Sequence, residues 1–140
     1  MGIIFNYTYV TQKELIMVFS EKFFEVLQHE GVVSITTWAN NEAHVTNTWN
    51  SYLKIKDDTI WIPASGMTST EADLKENNRV IVTLGSREVE GFNGYQGTGF
   101  RVEGTTEFVA EGPIFDEMFE AFPFIKRVLI VKAESTKQLL

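Results

Sequence analysis

Turn signals recur in this chain at intervals too short for parallel strand pairing. Asn40 and Asn41 sit inside ANNEA (39–43), between a β-branched run at 32–38 and an alternating run that begins at His44. Asp57-Asp58 separates that second run from another at 59–64. A parallel pair needs a crossover of a dozen or more residues, whereas an antiparallel pair needs only a hairpin. The pattern predicts a mainly β fold, a small antiparallel barrel with short flanking helices.

The remaining segments fit that plan. SEKFFEVLQHE (20–30) predicts a helix capped by Ser20 and stopped by Gly31, with Phe23, Phe24 and Leu27 on one face. The strand from His44 is expected to run to Lys56. TSTEADLKENN (68–78) predicts a short helix, with Thr68 and Glu71 at capping-box spacing. A strand follows at 79–84. The Gly-rich stretch 85–99 predicts a long loop or loose hairpin, with Asn93-Gly94 supplying positive φ. A strand is expected at 100–109 and a helix from Gly112-Pro113 to about Ala121. The last strand is expected at 128–133, leaving STKQLL as a tail.

One domain, 20–140, is expected after an N-terminal extension, 1–19. Within that extension Lys13-Glu14 can be encoded as AAGGAG, a ribosome-binding sequence at a suitable distance before Met17. Met17 is therefore expected to be the native start. The alternative is a longer helix capped by Thr11 and Glu14.

Composition removes whole classes of function. The net charge is -7 over 140 residues, and no basic cluster appears, so neither nucleic acid nor an anionic membrane is an expected partner. The absence of cysteine excludes disulfides, thiolate catalysis and Cys-ligated metals, and it suits a cytoplasmic protein. Two histidines, His29 and His44, are too few for a His-rich metal site, and no metal is expected. No nucleophile motif accompanies His44, which argues against a hydrolase. No apolar run reaches the ~18 residues of a membrane helix.

The positive signal lies in HVTNTWNSYLKI (44–55). Asn47, Thr48 and Asn50 surround Trp49, an arrangement suited to a flat ligand with polar edges. In PASGMTSTEADL (63–74) a strand ends in Pro63, a small-residue turn follows and a helix begins. Thr68, Ser69 and Thr70 place hydroxyls where helix amides are free, which suits an anion. TLGSR (83–87) adds Gly85, Ser86 and Arg87. A heteroaromatic ring with a phosphate tail would use all three segments, and flavin mononucleotide (FMN) fits that description.

These segments also carry a resemblance. FFEVL (23–27), EGVV (30–33), NTWNSYLK (47–54), GM (66–67), TEA (70–72), TLGSR (83–87) and GTGF (97–100) are similar to those of the FMN-binding split-barrel superfamily, relatives of pyridoxamine 5′-phosphate oxidase. The likeness runs from about Phe23 to Leu140. It implies a split barrel that forms a homodimer, with FMN at the subunit interface. It further implies that Asn47, Thr48, Trp49 and Asn50 line the flavin. Ser65, Gly66 and Met67 would pass along one edge, Ser69 and Thr70 would meet the phosphate, and Arg87 would compensate for missing charge. Phe124 would stand near the ring, and Leu140 would shield it from the partner subunit. The family pattern has a lysine where Ser69 stands and basic residues where Glu88 and Phe92 stand. Loss of the lysine contact is expected to cost about 1.5–3 kcal/mol of FMN binding.

The expected function is electron transfer or reduction of a small substrate through bound flavin, with a redox partner or small molecule as the second reactant. No acid or base is identified, so a catalytic residue is not assigned. The alternatives are a non-enzymatic module for a planar ligand, flavin or haem, and a split barrel that has lost its cofactor. Pyridoxamine-phosphate oxidase activity is not expected, because no basic cluster is present to hold that substrate.

Overall fold

Asn40 and Asn41 both adopt left-handed φ, 52° and 65°. This is the backbone of a tight two-residue hairpin, tolerated best by Asn and Gly. It joins β1 (Val32–Ala39) to β2 (Glu42–Trp49), in register from Ala39↔Glu42 to Val32↔Trp49. The computed structural model describes residues 18–140, so the Met17 start and the Thr11–Glu14 cap lie outside the described residues. Among the described residues, no helix is long and apolar enough to cross a membrane.

Seven strands form one sheet in the order β2-β1-β5-β6-β7-β4-β3, and all pairings are antiparallel. Beyond the first hairpin they are β3 (Lys54–Lys56), β4 (Thr59–Ala64), β5 (Arg79–Glu90), β6 (Gln96–Val109) and β7 (Arg127–Gln138). Three helices accompany them: α1 (Glu21–Leu27), α2 (Thr68–Glu76) and α3 (Pro113–Ala121).

The two edge strands, β2 and β3, are consecutive in the chain. In a flat sheet, six steps of about 4.8 Å would part them by about 29 Å. The five residue steps from Trp49 to Lys54 can reach at most about 18 Å. The sheet must therefore curl until its edges approach each other. The result is a barrel split between β2 and β3, as the resemblance implies.

The barrel interior is filled by alternate residues of the strands. Val33 and Ile35, Ile60 and Ile62, Val80 and Val82, and Leu129 and Val131 are all fully or almost fully buried. Helix α1 joins this core through Phe23 and Val26. Phe24, expected on the same face, is instead 37% exposed and meets Phe19 and Phe23 edge-on. Val26, three residues after Phe23, takes the buried position. On the outer face α3 packs Met118 against Trp61, Val128 and Ile130. Strands β4 and β7 are thus buried on both faces, which explains their near-continuous apolar runs.

Three boundaries differ from expectation. The strand from His44 stops at Trp49, and a 3₁₀ turn (Asn50–Tyr52) precedes β3. The Asn50 N–H leaves the ladder to donate to the Gly31 carbonyl at 2.9 Å. Its side-chain amide donates to the His29 and Gly85 carbonyls at 2.9 and 3.1 Å. The Glu30 carboxylate accepts from both the backbone N–H and the hydroxyl of Ser51, which holds its pKa below the ordinary value.

The second difference is that β5 and β6 extend into the Gly-rich stretch, which takes the hairpin alternative rather than the long loop, around a 3₁₀ turn (Phe92–Gly94). Gly85 faces Gly99 in register, and a Cβ on Gly85 would come within 2.8 Å of the Thr98 carbonyl oxygen. These glycines permit close strand contact. Asn93 and Gly94 do take positive φ. Third, the supposed tail continues β7, pairing Ser135–Gln138 with Phe100–Glu103.

Asn50 thus fixes the turn that brings the sheet edges together. Asn50→Ala is expected to destabilise the protein by about 1–2 kcal/mol in urea unfolding, because two part-buried backbone carbonyls lose their donor. Asn50→Asp should cost at least as much, since a carboxylate cannot donate. A change below about 0.5 kcal/mol in both variants would contradict this role.

Candidate functional site

Two of the three sequence motifs converge at the split in the barrel. A groove of about 280 Å³ is bordered on one side by Asn47, Thr48 and Trp49 of β2. Ser65, Gly66 and Met67, between β4 and α2, border the other side. Phe124, in the link from α3 to β7, stands at the same groove. Among the described residues β2 pairs only with β1, so its other edge leaves backbone N–H and C=O groups free. Such an edge can hydrogen-bond the rim of a planar ligand.

The aromatic wall is largely solvent-facing. Trp49 is 46% and Phe124 54% exposed, and both line the same groove. Tyr52 joins the wall, its ring centroid 5.1 Å from that of Phe122 and 6.2 Å from that of Phe124. Opposite it, a Cβ built on Gly66 would meet no atom beyond its chain neighbours within 4 Å, and Gly66 has no positive φ. Neither packing nor backbone strain requires a glycine there. The Cβ would project into open space, so the position suits close approach of a ligand to the backbone.

A second groove of about 380 Å³ adjoins the first and shares Thr46 and Met67 with it. Thr68, Ser69 and Thr70 line it, together with His44. Met67 is the N-cap of α2, with left-handed φ 62° and ψ 38° and no side-chain cap. Its carbonyl accepts from the Glu71 N–H at 2.9 Å. The expected Thr68–Glu71 capping box is therefore absent: Met67 takes the cap position, and the Glu71 carboxylate lies 3.5 Å from Arg127 Nε. A left-handed residue leading into a helix gathers successive N–H groups into a concavity that suits an anion. Together the two grooves offer a flat polar-edged slot leading to an anion site, of a size suited to a small ligand.

His44 anchors the wall between β2 and α2. Its Nδ1 is 2.8 Å from Asp73 Oδ2, and its Nε2 is 3.3 Å from Glu42. Asp73 is 4% exposed and also accepts from the Thr37 hydroxyl at 2.8 Å. The hydrogen bond to Asp73 raises the His44 pKa, against burial and with help from the Asp73 and Glu42 charges. Burial pushes the Asp73 pKa up, but the hydrogen bonds from His44 and Thr37 outweigh it and leave the carboxyl below its ordinary value.

Not every expected site residue meets at the grooves. Asn50 is 1% exposed and lines neither; its amide is committed to backbone carbonyls. Arg87 and Leu140 line a third cavity of about 590 Å³, together with Gly85 and Ser86. There the Leu140 carbonyl oxygen accepts from the Thr98 hydroxyl at 2.7 Å and from the Gln138 amide at 2.9 Å. Within one chain, Arg87 therefore does not line the anion groove. Thr46, Tyr52 and Pro63 were not singled out from the sequence. Thr46 shares the inward-pointing alternation of His44 and Thr48 and could have been found by period-2 counting. Tyr52 could not, because only the 3₁₀ turn swings it to the groove.

Comparison with known proteins agrees with this architecture. Residues 19–137 match the family model described as pyridoxamine 5′-phosphate oxidase. An FMN-binding protein of Nitratidesulfovibrio vulgaris (strain Miyazaki F) is 45% identical over 119 residues, which cover 84% of this chain and 96% of that one. An FMN-binding protein from Syntrophomonas wolfei superposes with TM-score 0.63 at 21% identity, covering 99% of this chain and 95% of that chain. Group A Streptococcus HupZ superposes with TM-score 0.70 at 17% identity, covering 86% of this chain and 94% of that chain.

The His44–Asp73 pair makes stability at the groove pH-dependent. A raised His pKa means its contribution is complete below about pH 6.5 and declines as pH rises through the shifted value. A lowered Asp pKa means its contribution is present above about pH 3.9 and is lost as pH falls through the shifted value. The melting temperature of His44→Gln should therefore fall furthest below wild type between these limits. The gap should narrow from pH 7 to pH 9. A gap constant from pH 5 to pH 9 would contradict the charged pair.

Proposed function

The chain belongs to the pyridoxamine 5′-phosphate oxidase family, and on that footing we propose that it binds FMN in the groove at the barrel split. The domain that does so is 20–140. It works as an electron carrier, or as a reductase of a small substrate, in the form of a cytoplasmic homodimer. The 45% identical relative named as an FMN-binding protein supports the ligand. The observation that carries the reading is the open space at Gly66, in the groove that Trp49, Tyr52 and Phe124 also line and that adjoins the groove at the α2 N-terminus.

In this reading Trp49 and Phe124 flank the isoalloxazine ring and exclude water from it. Asn47, Thr48 and the free edge of β2 hydrogen-bond its polar rim, while Ser65, Gly66 and Met67 run along the opposite border. Ser69, Thr70 and the first-turn amides of α2 receive the phosphate. When bound, FMN supplies the redox chemistry. Among the described residues no histidine, carboxylate or lysine lines the ring groove; its polar groups are the neutral hydroxyls of Thr46, Thr48, Tyr52 and Ser65 and the Asn47 amide, none of which ordinarily titrates near neutral pH. This favours electron transfer over a reaction that needs acid–base catalysis.

A homodimer would give the third cavity a role. The resemblance implies that a second copy closes over the ring, and the face that carries Arg87 and Leu140 is the one assigned to that task. Arg87 would then bring to the neighbouring site the charge that Ser69 does not supply.

Titration of the purified protein with FMN, followed by flavin fluorescence, tests the reading. Saturable quenching by the aromatic wall is expected, with flavin co-eluting with a dimer on gel filtration. Gly66→Val should unfold at the wild-type temperature yet bind FMN at least about tenfold more weakly, because its side chain enters the slot. Unchanged affinity in that variant would place the flavin elsewhere.

A further inference from the structure

A cation that the sequence motifs do not reveal braces the loop at the anion groove. Arg127, the first residue of β7, pairs in register with Ala64 at the end of β4. Its Nη2 donates to the Gly66 carbonyl at 2.6 Å. Its Nε stands 3.5 Å from a Glu71 carboxylate oxygen. The guanidinium lies over the Phe108 ring, 4.5 Å from the centroid, and the side chain is only 18% exposed.

These contacts bracket one segment. Gly66 precedes and Glu71 follows Met67–Thr70, the residues whose amides form the mouth of α2. A planar guanidinium held against a ring can hydrogen-bond Gly66 while its charge faces Glu71, although its Nε itself makes no hydrogen bond; a lysine cannot reproduce that stacked geometry. The hydrogen bond also sets a peptide plane. In a trans peptide the C=O and N–H point in opposite directions. With the Gly66 carbonyl turned toward Arg127, the Met67 N–H points away from it. Arg127 lines neither groove, whereas Gly66 and Met67 do. The brace thus steadies Met67 in its left-handed conformation, which a side-chain-bearing residue adopts only when its surroundings enforce it.

We propose that Arg127 is a positioning residue that presets the Met67–Thr70 amides for phosphate, and so makes the protein prefer FMN to riboflavin. The inference rests on the flavin reading above and extends it to the choice between phosphorylated and unphosphorylated flavin. Arg127 acts through Gly66 and Glu71 rather than by touching the ligand. Preorganised amides cost little to align on binding, which matters at a site with Ser69 in place of a lysine.

The test is equilibrium titration of wild type, Arg127→Met and Arg127→Lys with FMN and with riboflavin. Methionine keeps an apolar stem over Phe108 and removes every donor. In Arg127→Met the FMN dissociation constant should rise about tenfold while that of riboflavin changes less than about twofold. Lysine, which restores the charge without the fork, should recover only part of the preference. Equal weakening of both ligands would mean a purely structural role and would overturn the proposal, as would no change in either. Should Arg127→Met not fold, Glu71→Gln removes only the 40% exposed arm of the brace. It should lower the FMN preference by a smaller factor, and an unchanged preference would overturn the proposal. Wild type that binds neither flavin would overturn the flavin reading first, and this inference with it.

Discussion

A short link between two edge strands governs the architecture. Because only residues 50–53 separate β2 from β3, the seven-stranded sheet cannot lie flat. Curling closes its interior around Phe23, Ile35, Ile62, Val82 and Leu129 and leaves the seam unzipped. The link itself is held by Asn50, with its amide on two carbonyls, and by Glu30 on Ser51. Core packing and the binding groove are therefore consequences of one topological constraint. The seam is where strand pairing ends, and the grooves open beside it.

Free strand edges usually invite unwanted pairing. Here the exposed edge of β2 lies beside aromatic side chains and an open glycine, which turns a liability into a slot for a planar molecule. The two ends of that slot differ in chemistry. One end is Trp49, Tyr52 and Phe124, apolar and broad. The other is the mouth of α2, where Met67 leads unpaired amides into the groove. Between them stands Gly66, with open space where a Cβ would be and tied to Arg127 through its carbonyl. A ligand with a flat ring and an anionic tail satisfies both ends, whereas a neutral ring alone satisfies only one.

Much of this was legible in the residues themselves. The Asn40-Asn41 hairpin, the strand at 59–64 and the helix opened by Pro113 all follow from local chemistry, because turn residues and alternation need no distant partner. What escaped reading depends on contacts far apart in sequence. Gly85, Gly97 and Gly99 leave loop and hairpin open, and only the pairing of β5 with β6 decides for the hairpin, where Gly85 and Gly99 let the two strands pack closely. Residues 135–138 lack an apolar stripe and read as part of a tail, but β6 supplies their pairing. Asn50 was grouped with Asn47 by proximity, although the end of the strand sends it inward. Arg127 carries no local signal at all, since its partners Gly66, Glu71 and Phe108 come from three other parts of the chain.

A crystal structure of the protein grown with FMN tests the central claim most directly. The ring is expected between the Trp49–Phe124 wall and the Ser65–Met67 border, with its phosphate on the amides of residues 67–70 and a second copy of the chain closing over it. Flavin seated only on the Arg87–Leu140 face, away from the seam, would contradict that placement. A crystal saturated with FMN whose seam held no flavin would contradict it equally.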